Sequence, residues 1–384
     1  MRTPPYEYVS ADSHLEVSPD QWRPFVDKEF HEYVPNVIKL DNGGDAWQMP
    51  GNGGVIPLGL NFSAGRGWEN IKPTGISYAE GLRGAGDGSQ RLEEMDTDGI
   101  YAEILFPAVA GQRGLDGCGL PREAYVALVR GYNDWLSEEY CKADYQRLLG
   151  AAMMPCTTVE DAIAELVRIK DMPGIRTAVL HQWPNGGPCP EPEDDLFWAA
   201  AVEHGVPLSI HVVFGGGAAA DRRPAGFMGS VTINTLLTRG GAYTGFCMTQ
   251  LITEGVFDRF PSLRIALAET GAGWVPHYAE QADSNYKRHR YWADIKFEHE
   301  PSYYVKRNFL YGIQDDFISM KIRHDIGVEN IMWATDFPHV ACDWPNDLAV
   351  ADEIFRDVPD DERRMMVRDN AVKFYKLDYL PVAS

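Results

Sequence analysis

From residue 91 onward the chain alternates short apolar runs with helical segments, and no other feature narrows its fold as much. Apolar residues recur three and four apart over Arg91–Asp98, Arg122–Ala143, Val159–Lys170, Asp194–His204, Thr244–Arg259, Trp274–Arg288, Asp315–Ile326 and Asp347–Phe355, which predicts helices there. Thr157-Thr158 ahead of Glu160-Asp161 supplies a cap and an acidic first turn for one of them. Between the helices, strands are predicted at Ile100–Phe106, Leu148–Met154, Ile175–Leu180, Val206–Val213, Leu263–Glu269, Asn308–Gly312 and Asn330–Thr335. With an apolar run near residue 9 counted first, about eight strands alternate with helices, the pattern of a (β/α)8 TIM barrel. An open doubly wound sheet is the competitor, disfavoured because no glycine-rich phosphate turn follows the first strand.

The reading is of one barrel domain over residues 1–384, closed by a helix over 360–376. Residues 41–90 interrupt the rhythm. Asn42-Gly43-Gly44, Gly51-Asn52-Gly53-Gly54 and Gly84-Ala85-Gly86-Asp87-Gly88 punctuate that stretch as turns. So long a loop is unusual in a compact domain, so it reads as an inserted small subdomain with short strands, a lid or an interface.

The chemistry gathers at strand ends, where barrel enzymes place theirs. Val9-Ser10-Ala11-Asp12-Ser13-His14-Leu15-Glu16 and Ile331-Met332-Trp333-Ala334-Thr335-Asp336-Phe337-Pro338-His339 lie more than three hundred residues apart. Both are apolar runs that break off into carboxylates and imidazoles. Alternation along an extended segment lets Asp12, His14 and Glu16 face one centre. In a closed barrel the first and last strands are neighbours, so the two patches meet. His181 ends the fourth strand, His211 lies in the fifth and Glu269 ends the sixth. This is an oxygen and nitrogen donor set without thiolate, suited to one or two divalent ions of Zn, Mn or Fe. Its high carboxylate share favours Mn or Fe(II), or two ions.

The metal candidates are therefore Asp12, His14, Glu16, His211, Glu269, Asp336 and His339, and the catalytic candidates Asp336, Glu269, His181 and His339. All but His211 and Asp336 have a plainer alternative. Asp12 can cap a turn, His14 and His181 can be hydrogen-bonded core residues, and His339 can pack a turn. Glu16 can be a supporting partner, and Glu269 can cap the next helix. His31, His204, His289, His299 and His324 read as surface residues. Arg222 and Arg223 read as solvated or, alternatively, as holding a substrate carboxylate through paired hydrogen bonds. Trp68, Trp183, Trp274 and Trp344 read as packing residues or pocket walls.

Several runs together carry a family resemblance: Asp12–Trp22, Arg91–Ile100 (RLEEMDTDGI), Asn133–Leu136 (NDWL), Gly255–Leu263 (GVFDRFPSL), Glu269–Pro276 (ETGAGWVP) and Trp333–His339 (WATDFPH). In order and nearly end to end, they resemble the amidohydrolase superfamily, in its amidohydrolase-related, aminocarboxymuconate-semialdehyde-decarboxylase-like branch. The resemblance implies a metal-dependent barrel in which Asp12 and His14 ligate metal, His211 joins them, and Asp336 ligates or acts as base. It implies a decarboxylase or other lyase, or a hydrolase, acting on a small carboxylated or amide-bearing compound. A few relatives look like dinuclear iron or iron–manganese oxygenases, the alternative activity; an inactive partner subunit of a hetero-oligomer is a second alternative. The chain departs from the family in two places. Glu269 stands where many members have histidine, and Arg239-Gly240-Gly241-Ala242 where many have His-Pro.

Partners follow from charge and hydropathy. A formal charge of -21 repels phosphate backbones, so nucleic acid is not expected. No apolar run approaches a membrane span and no secretory segment opens the chain, so a cytoplasmic protein without membrane contact is expected. The six cysteines lack CxxC spacing and suit reduced, mostly buried thiols. A small-molecule substrate and a homodimer are expected, with a hetero-oligomer as the alternative.

Overall fold

In a computed structural model that describes residues 6–116, 118–212, 214 and 241–380, eight parallel strands form one sheet in the order β1-β5-β6-β7-β8-β9-β10-β11. They are β1 Val9–Leu15, β5 Ala102–Pro107, β6 Leu148–Met153, β7 Ile175–Leu180, β8 Leu208–His211, β9 Ile265–Ala268, β10 Phe309–Ile313 and β11 Ile331–Trp333. The segment after β11 returns to β1: Asp336 N donates to Asp12 O at 2.9 Å and His14 N to Phe337 O at 2.6 Å. Those bonds bring the first and last strands together, as a (β/α)8 barrel requires. Among the described residues no helix is long and apolar enough to cross a membrane.

Two apolar clusters divide the sheet. Val9, Ala102, Ile104, Phe106, Val179, Ala266, Ala268, Met332 and Ala334 belong to the barrel interior. Leu105, Leu180, Ile210, Leu267 and Trp333 pack outward with the helices. This is the period of two expected of a strand buried on both faces.

Strands β2 Asn36–Lys39, β3 Asp45–Gln48 and β4 Val55–Pro57 form a separate antiparallel sheet, beginning just ahead of residue 41. The stretch after it docks on the C-terminal patch, with Ser63 N and Ala64 N both donating to Pro338 O at 3.0 and 3.1 Å. Gly84 lies so close that a Cβ there would stand 2.5 Å from Pro338 Cγ.

Some boundaries differ from the periodicity. The helix beginning at Arg122 is α-helical to Trp135, then passes through a π turn, Leu136–Tyr140, and a 3-10 turn, Cys141–Ala143. The closing segment likewise contains a π turn, Met365–Asp369, between Asp360–Arg364 and Asn370–Phe374. A helix at Val109–Asp116 went unpredicted because glycine and polar residues interrupt its apolar pattern. β8 is shorter than Val206–Val213, since Pro207 has no N–H for the ladder and the chain turns after His211.

Candidate metal centre

The first strand aims its ligands by a defect. Ser10 pairs with Glu103 and Ser13 with Leu105, which leaves Ala11 and Asp12 together opposite Ile104. That extra residue is a bulge. Val9 points into the barrel, so unbroken alternation would send Ser13 inward. The bulge turns Asp12 and His14 inward instead, with His14 paired beside the inward Phe106. Small hydroxyls satisfy the disturbed backbone. Ser10 Oγ donates to Asp12 O at 2.9 Å and accepts from Thr335 N at 3.0 Å, and Ser13 Oγ lies 3.1 Å from Thr335 Oγ1.

Glu269 and Asp336, just beyond β9 and β11, both occupy the left-handed region, with φ of 57° and 56°. This conformation costs a non-glycine residue roughly 1–2 kcal/mol. At Glu269 it redirects a side chain that strand parity would send outward, since Ala268 faces in. Strain of this kind clusters at functional sites.

The groups converge closely. His14 Nε2 lies 3.0 Å from His211 Nε2, 3.5 Å from Asp12 Oδ1 and 3.4 Å from Asp336 Oδ1. His211 Nε2 lies 3.4 Å from Asp12 Oδ2 and 3.7 Å from Glu269 Oε2. His339 bridges Asp336 and Glu16, with Nδ1 3.2 Å from Asp336 Oδ1 and Nε2 3.0 Å from Glu16 Oε1. Asp12, His14, Glu16, Asp336 and His339 are all buried.

This set fits a divalent cation. His14 Nδ1 faces Pro107 O at 3.2 Å, and a carbonyl only accepts, so that nitrogen carries the proton and Nε2 offers a lone pair inward. Both oxygens of Asp12 and Oδ1 of Asp336 have no hydrogen-bond partner among the described residues. Buried carboxylate oxygens facing imidazole lone pairs are costly unless a cation sits between them. The donors fall into two groups, Asp12, His14, His211 and Glu269, and His14, Asp336 and His339, which share His14.

The electrostatics show what the cation relieves. Burial pushes the Asp12 carboxyl up, against the pull of His211. Burial, with His339 and His211 beside it, holds the His14 imidazole well below its usual range, hence neutral. Burial would also lower His211, but Asp12, Glu269 and Asp336 outweigh it and hold that imidazole up. His339 is likewise raised well above the usual range, because Asp336 and Glu16 outweigh its burial. Without metal, protons take the cation's place at these two rings.

The structure thus brings together all seven predicted metal candidates. His181 stands next to them: Leu180 pairs with Ile210, so His181 follows in register with His211 at the inward parity of Val179. Its Nε2 lies 2.8 Å from Asp116 Oδ1, which also accepts from Tyr125 OH at 2.7 Å. Asp116 and Tyr125 were missed, since Asp116 sits in the unpredicted helix. His204, His289, His299 and His324 are exposed. His31 is instead partly buried, its Nε2 2.8 Å from Val26 O. Trp183 packs against Phe214, whereas Trp68 is 82% exposed and neither packs nor walls a pocket. Arg222 and Arg223 lie outside the described residues, as do Arg239 and Gly240.

Known proteins agree with this architecture. The sequence pattern of a family described as Amidohydrolase matches residues 12–377. A decarboxylase, orsB, of Emericella nidulans is 27% identical over 272 residues, spanning 68% of this chain and 76% of that protein. A gamma-resorcylate decarboxylase of Rhodococcus jostii is 25% identical over 362 residues, spanning 84% and 96%. The crystal structure of 5-carboxyvanillate decarboxylase from Novosphingobium aromaticivorans, complexed with manganese and 4-hydroxy-3-methoxy-5-nitrobenzoic acid, superposes with a TM-score of 0.66 at 19% identity over 97% of this chain and 96% of that one. At that identity the likeness shows the fold.

Proposed function

Because the chain belongs to the amidohydrolase family, we propose that this enzyme is a metal-dependent decarboxylase of a small hydroxylated aromatic carboxylate. One observation carries the reading: His14 Nε2 and His211 Nε2, 3.0 Å apart, face the Asp12 carboxylate, whose oxygens have no hydrogen-bond partner among the described residues. The relatives supply the substrate class, since those named above are decarboxylases, two of them named for phenolic acids.

Asp12, His14, His211 and Asp336 would hold the ion, with Glu269 beside them. A bound divalent ion would supply charge neutralisation for the substrate's carboxylate and adjacent phenolic oxygen. Decarboxylation breaks the bond from ring carbon to carboxylate, releases CO2, and leaves an electron pair on that carbon that must take up a proton. Asp336 would deliver it, with His339 and Glu16 behind it to replace the proton it loses. Glu269 is the other carboxyl able to do so. His181, tied to Asp116, would steady the substrate's remaining oxygens, and Phe106 supplies an apolar wall 5.2 Å from the His211 ring.

The alternative of a dinuclear oxygenase is not favoured by the donor groups, because both draw on His14, whose single free lone pair can serve only one ion. Elemental analysis of the protein, with CO2 release and oxygen uptake assayed on 2,6-dihydroxybenzoate and 5-carboxyvanillate, separates the two. One ion per chain and CO2 release support the decarboxylase. Two transition-metal ions with substrate-dependent oxygen uptake, or full turnover after exhaustive chelation, would refute it.

A further inference from the structure

We propose that Arg91, together with Glu103, is the positioning residue of the metal centre. This rests on reading the site as one that binds a divalent ion. Arg91 lies on the helix Gly88–Asp98 and is buried, as is Glu103 on β5. Its Nε donates to Glu103 Oε2 at 2.5 Å. Its Nη1 donates to the carbonyl of His14 at 3.1 Å, and Nη2 reaches the carbonyl of Phe337 at 3.5 Å. The guanidinium also lies over the Phe337 ring, 4.3 Å from its centroid.

One fork therefore holds the backbone of a ligand in the first patch and of the residue after Asp336 in the second. Phe337 O is the same carbonyl that accepts from His14 N. The two patches come from opposite ends of the chain, and the seam between them carries few backbone bonds. A planar, permanently charged group with several donors can fix two carbonyls at a set separation; a lysine cannot. Glu103 completes the device, because it pairs in register with Ser10 at the start of the bulge and neutralises the buried charge. Nothing in this arrangement touches substrate; it acts on where His14 and Asp336 stand.

The test compares Arg91→Lys and the paired replacement Arg91→Met/Glu103→Met with the parent chain. Each full-length protein is stripped with chelator and titrated with manganese(II), free ion being read by electron paramagnetic resonance, and the apo melting temperature is measured separately. Lysine keeps the charge opposite Glu103 but loses the fork. The paired variant removes both charges and leaves no unpaired ion in the core. The expected result is a manganese dissociation constant raised about tenfold or more in both variants. The paired variant's apo melting temperature should stay close to the parent's. Parental affinity in either variant, whatever its melting temperature, overturns the proposal and assigns the pair to the fold alone. Failure of the parent itself to bind manganese or zinc would instead refute the metal reading, and this proposal with it.

Discussion

Replacing Asp12 with asparagine should make the metal-free protein more stable while nearly abolishing metal binding. Asp12 is fully buried and neither oxygen has a hydrogen-bond partner among the described residues. A buried polar group left unsatisfied costs about 1–3 kcal/mol, and more when charged. The ion pair with His211 at 3.4 Å offsets part of this while that ring holds its proton, so the experiment belongs at pH 8 or above. Asparagine occupies the same volume, carries no charge, and turns an N–H toward the His14 or His211 lone pair. The net gain in the apo state should be about 1–2 kcal/mol. For a chain of 384 residues the unfolding entropy is about 0.8 kcal/mol/K, so the melting temperature should rise by ~1–3 °C. Metal affinity should fall at least a hundredfold, because a charged ligand becomes a weak neutral one. Differential scanning calorimetry of stripped protein reads the first quantity and a competing chelator dye the second. A less stable apo variant that still binds metal like the parent would show that Asp12 is a structural core residue.

Three further outcomes follow from the same geometry. His211 and His339 hold protons in the metal-free site above their usual range, so metal uptake should release protons and tighten as pH rises. Because raised imidazoles stabilise the apo fold below their unfolded value and lose that contribution as pH climbs through the folded one, the melting gap between loaded and stripped protein should widen from pH 6 to pH 8; a constant gap would contradict this. If His181 acts through Asp116, His181→Gln and Asp116→Asn should each lower kcat and their double variant should lose little more; fully additive losses would separate them. Glu269→Gly should relieve the left-handed strain and leave apo stability unchanged or up by about 1 kcal/mol, with activity lost; marked destabilisation would mean the carboxylate supports the fold.

The barrel was legible because its strands are buried on both faces and its helices are amphipathic, two periods that even a single sequence displays. The ligands were legible as residue types at strand ends, but simple strand alternation does not aim them. Alternation from Val9 would not have turned Asp12 and His14 inward; the bulge at Ala11–Asp12 does. Its sequence trace is slight, the small hydroxyls Ser10, Ser13 and Thr335, which mean little until the last strand is known to lie beside the first. Arg91 was visible as part of a quoted run, but its role depends on two carbonyls brought together only by closure of the barrel. Asp116 stayed hidden for a different reason, since a short helix rich in glycine carries no readable period.

These features bear on one another. The centre concentrates what destabilises a metal-free fold: four carboxylates and three imidazoles in a buried space, two of the carboxylates on left-handed backbone, three oxygens without a hydrogen-bond partner among the described residues. Around it stand groups whose contacts are satisfied: the Arg91–Glu103 pair, the Ser10–Ser13–Thr335 hydroxyls, and the Ser63–Ala64 backbone gripping Pro338. If the inner groups served the fold, weakening them would destabilise it; if they serve an ion, the apo protein tolerates or welcomes their loss while the outer groups set how tightly the ion is held. Inner substitutions should therefore raise apo stability or leave it level, the paired Arg91–Glu103 replacement should leave it near the parent's, and both kinds should weaken metal affinity. A packed core has no reason to keep or gain stability when its inner groups are lost.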